Sequence, residues 1–494
     1  MSNSTESWEL LSEQLLLLNR NFDTAYVLLA ASIVFFMQAG FAFLEAGSVR
    51  SKNTTNILFK NLLDTCVGCV AFWAFGFAFT GTGNEFIGSD CFFLIGCNDH
   101  IHYWFVLFVY SVTSVTIVSG AMAERTEVAS YIMFSALCTG FLQPVVAHWA
   151  WSPDGWLAKG VENNQVSAVY KDFAGSSAVH VVGGTAAFMG AAIVGPRFGR
   201  FDESGMPVPI HPHTITMSAL GLFILFFGFI SFNLTAAMSL LADEEFEAIA
   251  GKIVFSVTMS GSAGGLGAVI AKKIIDRSQK RQWSLWSAMN GCLTGLVAIC
   301  AGSDVVHPYA AVIIGAVAGL VYIIVVRLVV KARVDDPVDA VAVHLGGGCL
   351  GVIAVPFFDS TQGLFHHWNR KSMLLLGWNF CGLVTIVLWT AAISGIIFGT
   401  LYGFNMLRVS KEVELKGLDY YRHGDVASAT DSYSSSATAN RRGARSYTRR
   451  STNDTLTDIL GTFIRDSTMS RETVGSVSMS NISVAKTVDA VSSV

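Results

Sequence analysis

Apolar residues in this chain come in runs too long for an ordinary core helix and without the alternation of a half-buried strand. A helix needs about 20 mostly apolar residues to cross a hydrocarbon core. Eleven stretches qualify, near 23–47, 61–82, 103–123, 130–150, 174–195, 213–240, 251–271, 283–301, 307–330, 340–357 and 374–406. The pattern predicts an all-α membrane protein with eleven transmembrane helices. Past residue 407 the apolar runs stop. Residues 408–424 (RVSKEVELKGLDYYRHG) are mixed in charge and are expected to fold against the cytoplasmic face, whereas 425–494 are rich in Ser, Thr and Ala and are expected to be disordered.

An odd number of crossings puts the termini on opposite sides. Loops after odd-numbered spans carry thirteen Lys and Arg residues against four or five in the even loops. The positive-inside rule then places residues 1–22 outside as an extracellular N-terminus and the long tail in the cytoplasm. The plasma membrane is the default location. The first residues lack a basic n-region, so the first span itself is expected to direct insertion.

Composition sharpens this reading. Only 14% of the 494 residues are charged, against roughly 25% in a soluble domain. Charge is also segregated, with 22 of the 68 charged residues after position 407. A soluble enzyme is disfavoured, and the net charge of −4 suggests no nucleic-acid partner. No nucleophile–base pair or metal cluster stands out, so the expectation is no enzyme activity, no metal and no cofactor. Cys66 and Cys69 form a C-x-x-C inside an apolar run and read as small hydrophobes. Cys91 and Cys97 flank a short segment between spans and could form a disulfide if that loop is extracellular. In the tail, RRGARSYTRRST sets Ser446, Ser451 and Thr452 beside arginines, which suits a basophilic kinase or simply a solvated linker.

The most informative feature is internal. Asp172–Gly184 reads DFAGSSAVHVVGG and Asp336–Gly348 reads DPVDAVAVHLGGG, both D-x6-V-H-x2-G-G. They open the fifth and tenth spans, which enter from opposite sides. Five spans followed by five of opposite orientation, with an extra C-terminal helix, is the signature of an inverted repeat. Each histidine lies eight residues beyond its aspartate. With a helix starting at the aspartate, that is about 12 Å of rise, which brings His180 and His344 together near the midplane. The aspartates alone are explained as helix caps, with Pro337 at the first helical position. A single buried histidine could be packing; two at equivalent positions imply a lined pathway, because unpaired polar rings in hydrocarbon are costly. Neutral imidazoles offer one donor and one acceptor each, which suits a small neutral polar solute.

Several motifs in order carry a resemblance: AGFAFLEAGSVRSKN at 39–53, GAMAER at 120–125, DFAGSSAVH at 172–180, FGFISFN at 227–233, RVDDPVDAVAVH at 333–344 and GLDYYRHG at 417–424. The chain resembles the ammonium transporters (Amt/Mep, related to the Rhesus proteins). The resemblance implies a homotrimer in the bilayer, each subunit with its own pore for ammonium or ammonia, methylammonium serving as analogue. It implies recruitment of ammonium beside Tyr110 and Trp151 with Asp172 nearby, gates at Tyr110 and Phe232, and a pore lined by His180 and His344. It also implies that the tail segment, including Gly417, touches a neighbouring subunit. Departures are visible: tyrosine stands at the usual outer-gate phenylalanine, the hydroxyl after Phe232-Asn233 is missing or moved to Thr235, and Tyr421 replaces a threonine that plant members phosphorylate. Two other readings accompany transport: an ammonium sensor with limited flux, and a Rhesus-type channel for neutral gas.

Overall fold

The apolar runs fold as helices because, in hydrocarbon, each backbone N–H and C=O must be satisfied within its own segment. The computed structural model describes residues 2–424 apart from 98–99, 164, 241–245 and 277–281. The tail expectation for 425–494, with Ser446, Ser451 and Thr452, lies outside the described residues. The helices are α1 (Ser2–Ser48), α2 (Thr54–Ala71, continued to Thr80), α3 (Ile101–Ala121), α4 (Val128–Leu137, continued to Trp151), α5 (Ser176–Val194), α6 (Ile215–Ala236), α7 (Phe246–Ile275), α8 (Leu285–Ile299), α9 (Pro308–Lys331), α10 (Val341–Phe358) and α11 (Arg370–Gly403). Two short helices follow, α12 (Lys411–Lys416) and α13 (Leu418–His423). A small antiparallel hairpin, β1 (Val161–Asn163) and β2 (Val166–Ala168), sits between α4 and α5.

Among the described residues, ten helices are long and apolar enough to cross a membrane, so the chain is a multi-pass membrane protein. The expected span near 283–301 differs from the rest. Its helix, α8, has 15 residues, about 22 Å of rise, and falls short of that length. At the other extreme, α1 runs unbroken from Ser2, so residues 2–22 continue the first helix instead of forming a separate segment. The reason is local: neither Gly nor Pro occurs before Gly40 to end it.

Packing pairs α1 with α6, α7 with both α8 and α9, and α5 with α3, α10 and α11. The α7–α9 approach depends on Gly319, where a Cβ would lie 2.3 Å from the Gly264 carbonyl oxygen. Small residues at such crossings let backbones meet where lipid offers no hydrophobic drive to hold helices together. On the side of the loop between α2 and α3, Cys91 and Cys97 are joined in a disulfide.

The segment after α11 docks on its own chain. Asp419 accepts from the backbone N–H groups of Thr55 and Asn56 at 3.0 and 2.8 Å, supplying the first turn of α2 with acceptors. Leu418 N–H donates to Asn53 at 3.0 Å, and Arg422 pairs with Glu127. Gly417 has φ +114° and lies on Lys52, where a Cβ would come 2.6 Å from that residue's Cβ; only glycine meets both demands. The contact for Gly417 among the described residues is thus within the chain. Tyr421 donates from its hydroxyl to Glu412 at 2.9 Å.

Candidate functional site

The two histidine motifs begin alike. Each opens with a π-helical turn, Ser176–Val181 and Val341–Gly346, and π turns occur frequently at functional sites. Three residues after each aspartate the backbone turns left-handed, at Gly175 (φ 86°) and Asp339 (φ 59°). Glycine and aspartate both tolerate that conformation, so the two motifs reach it with different residues. Asp172 then accepts from the N–H groups of Ser177 and Ala178, both at 2.9 Å, and Asp336 from Val341 N–H at 2.8 Å. Both aspartates serve as caps, but from five or six residues away. The helices start at Ser176 and Val341, so the 12 Å depth computed from the aspartates overstates the helical rise, and Pro337 lies in the preceding turn instead of at the first helical position.

Two glycines bring the motifs together. A Cβ at Gly184 would lie 2.3 Å from Leu345 N, and one at Gly348 would lie 2.4 Å from the Ser176 carbonyl oxygen. Each helix therefore seats its glycine on the backbone of the other. His180 and His344 result as a pair with ring centroids 5.2 Å apart, planes 23° from parallel and Nδ1 atoms 3.2 Å apart. Both are buried. For neutral rings that contact requires one Nδ1–H donor and one bare Nδ1 acceptor, so the two tautomers are opposite. One ring then has a free acceptor at Nε2 and the other a donor at Nε2. Such a pair can pass a small neutral hydrogen-bonding molecule along without taking a net charge.

Aromatic rings continue the line on one side of the pair, toward the disulfide. Phe229 stacks on His180 at 5.4 Å and Phe232 lies 5.6 Å from it. Tyr110 meets Phe232 edge-on at 4.5 Å and is fixed by donating its hydroxyl to the Phe232 carbonyl at 2.8 Å. Trp151 follows, 5.5 Å from Tyr110, and lines a broad cavity with Asp90, His100, Tyr103 and Asp154. The disulfide borders that cavity. Between Trp151 and the histidines the rings of Tyr110 and Phe232 are buried and close the line.

Asp172 is placed differently from what a substrate-facing acid requires. Its carboxylate points at the start of α5, and its carbonyl takes the Trp151 indole N–H at 2.8 Å. Burial pushes its carboxyl up from the ordinary carboxylate value, while hydrogen bonds from Ser177 and Ala178 pull the other way. Its Oδ1 is buried without a hydrogen-bond partner. Thr235 turns its hydroxyl back to the Ser231 carbonyl at 2.5 Å.

Sequence reasoning missed Phe229, Phe41, Cys300 and Ser303. Phe229 falls inside the FGFISFN motif, and its three-residue spacing from Phe232 was available as a signal. Cys300 Sγ lies 4.0 Å from His180 Nε2, and Ser303 donates to Asn233 at 2.9 Å; nothing in the pattern marked either. On the opposite side of the pair Phe41 lies 6.3 Å from His344, and a small cavity touches both. Beyond it the loops are tied by Arg197, which pairs with Asp335 and Glu124 at 2.7 Å each. Burial alone would raise the Glu124 carboxyl, but Arg197 and Arg50 hold it below its ordinary value.

The model of the Ammonium Transporter Family matches residues 25–428. The chain belongs to the Ammonium Transporter Family. It is 37% identical to ammonium transporter 1 member 3 of Solanum lycopersicum, over 82% of this chain and 93% of that protein. It is 36% identical to ammonium transporter 3 of Dictyostelium discoideum, over 82% and 94%. Among solved structures it is similar to one titled Sensor Amt Protein, with a TM-score of 0.74 and 32% identity over 81% of this chain and 98% of that one. The Ammonium Transporter Family comprises transport proteins, not enzymes.

Proposed function

We propose that the protein moves ammonium across the plasma membrane, recruiting the ion at Tyr110 and Trp151, removing its proton, and passing ammonia along His180 and His344. The observation that carries this reading is the buried, Nδ1-paired histidine couple at the inner end of a line of aromatic rings. A desolvated cation over aromatic faces gains about 2 kcal/mol. Transferring a bare ion into a low-dielectric interior costs on the order of 20 kcal/mol by Born estimate. Ammonium escapes that cost by leaving a proton behind; potassium has none to leave. Tyr110 and Phe232 act as the gate, and Asp172 serves recruitment by holding Trp151 and the start of α5.

The same proposal takes α8 as the eighth of eleven crossings and the two halves as an inverted repeat, supported by the paired π turns, the left-handed residues and the reciprocal glycines. The N-terminus lies outside and the tail in the cytoplasm. The assembly is a homotrimer, with Gly417 and Tyr421 in its regulatory segment and a kinase acting on the tail. H344A is expected to abolish methylammonium uptake into reconstituted vesicles or to collapse discrimination against potassium. Uptake and selectivity both equal to wild type would refute the histidine role. A sensor with limited flux is the second reading, favoured by the similarity to the structure titled Sensor Amt Protein. A sensor would bind methylammonium without carrying the isotope into vesicles. A neutral gas channel would carry ammonia without current.

A further inference from the structure

Glu45 lies on α1 one turn beyond Phe41 and is 2% exposed. Together they line the small inner cavity, with His344 and Asn290 as its other two polar-lined walls and Leu44, Ile117, Leu293, Val338, Ala340 and Val343 completing it. Glu45 is the acid of that lining. Its Oε2 accepts from the Ser119 hydroxyl at 3.1 Å, and its Oε1 faces Gly120, 3.0 Å from where a Cβ would stand. Glycine at 120 leaves that oxygen room. Two further charged groups of α2 are buried nearby, Lys60, with its ammonium 4.2 Å from the Tyr131 ring centroid, and Asp64 one turn on. A second, wider cavity lies next to it: Asn290 Nδ2 donates to Asp339 at 3.3 Å, and Asp339 borders that cavity with Asp335, Asp336, Arg197 and Arg200.

A carboxyl group held at this place has a chemical task to perform. Ammonia leaving His344 is neutral, and release as ammonium requires a proton at the inner end. We propose that Glu45 is the inner proton-exchange residue of the pore. This rests on the twin-histidine reading above. The steps balance: ammonium outside gives ammonia and one proton. The proton binds His180 Nε2, the His180 Nδ1 proton moves to His344 Nδ1, and the His344 Nε2 proton goes to Glu45, whose carboxylate becomes a carboxylic acid. Ammonia passing the two Nε2 atoms then takes the His180 Nε2 proton while giving one to His344 Nε2, and the Nδ1 proton returns, restoring both tautomers. Ammonia reaching the cavity takes that proton on its lone pair, the Glu45 O–H bond breaks, and ammonium leaves past Asn290 and Asp339 while Glu45 returns to carboxylate. One ammonium and one charge cross in each cycle. Ser119 orients the carboxyl group.

The test is an ammonium jump on proteoliposomes, with membrane current and lumen pH recorded together for wild type, E45Q, E45D and H344A. E45Q keeps the shape and an acceptor for Ser119 but cannot carry the proton. Its current is expected to fall at least tenfold, while ammonia still enters and alkalinises the lumen by taking protons there. E45D retains a carboxyl and is expected to fall between the two. Wild-type current in E45Q, with H344A silent, overturns the role of Glu45 and leaves the histidine reading standing. Wild-type behaviour of H344A overturns the histidine reading itself. A wild type that alkalinises the lumen without current overturns the proton path. Should E45Q not reconstitute, E45D decides: its current must drop severalfold with ammonia entry retained, and a current equal to wild type removes the proposal.

Discussion

Asp336 shows how a capping residue can carry a pH dependence. It is half-buried, and burial together with the neighbouring Asp339 carboxylate pushes its carboxyl up to about 7. An unfolded aspartate releases its proton near 3.9. The folded protein therefore holds this proton up to about pH 7 while the unfolded chain has lost it; the contribution is full below about pH 4 and is lost as pH rises through 7. Asp336→Asn keeps an acceptor for Val341 N–H and carries no charge. Its unfolding temperature in detergent should exceed wild type by a wider margin at pH 8 than at pH 5, and equal margins would contradict the assignment. This aspartate was legible in the sequence as a cap. Its placement five residues ahead of its partner was not, because the left-handed Asp339 between them is a tertiary choice, fixed by hydrogen bonds from Trp286 and Tyr322 at 2.7 and 2.8 Å.

Helices α5 and α10 owe their pairing to their glycines more than to their histidines. The Nδ1 contact is one hydrogen bond, worth about 1 kcal/mol net in an ordinary setting. The glycine seats set the distance at which that bond can form at all. Gly348→Ala puts a Cβ 2.4 Å from the Ser176 carbonyl oxygen, an overlap that only a shift of the helices relieves. A cost of about 1–3 kcal/mol is expected. Thermal unfolding in detergent should fall accordingly, and methylammonium uptake should drop even in the folded fraction, because the rings separate. Full uptake in a destabilised but folded variant would detach the glycine from the pore. The repeated G-G was visible in the sequence; that the second glycine of each pair makes the cross-contact followed from helix rotation. Membrane helices that are apolar all round give no periodic stripe from which rotation can be read.

The docked segment 408–424 joins the turn after α1 to the starts of α2 and α4 through a few polar contacts. Asp419 holds two N–H groups of α2, Glu414 accepts from Phe198 N–H at 2.7 Å and pairs with Arg408, and Arg422 reaches Glu127. Loss of a helix-terminal acceptor typically costs about 1 kcal/mol. Asp419→Ala should therefore loosen the segment without unfolding the bundle, seen as faster hydrogen exchange across 408–424 and across the first turn of α2. Unchanged exchange in both places would show that Gly417 on Lys52 holds the segment unaided. The docked segment is also tied to the Arg197 network, since Asn53, which accepts from Leu418, donates to Glu124.

Long apolar runs and a string of ordered motifs settled the membrane class and the family before any coordinates, and two matched motifs singled out the histidines, because length, hydropathy and residue order are local properties of the chain. The short α8, the unbroken α1, the opposed tautomers, the stacking of Phe229 and the cavity that joins Glu45 to His344 came from elsewhere. Each depends on how one helix is turned and seated against another, and in an apolar bundle that is governed by side-chain volumes and glycine contacts between residues far apart in sequence.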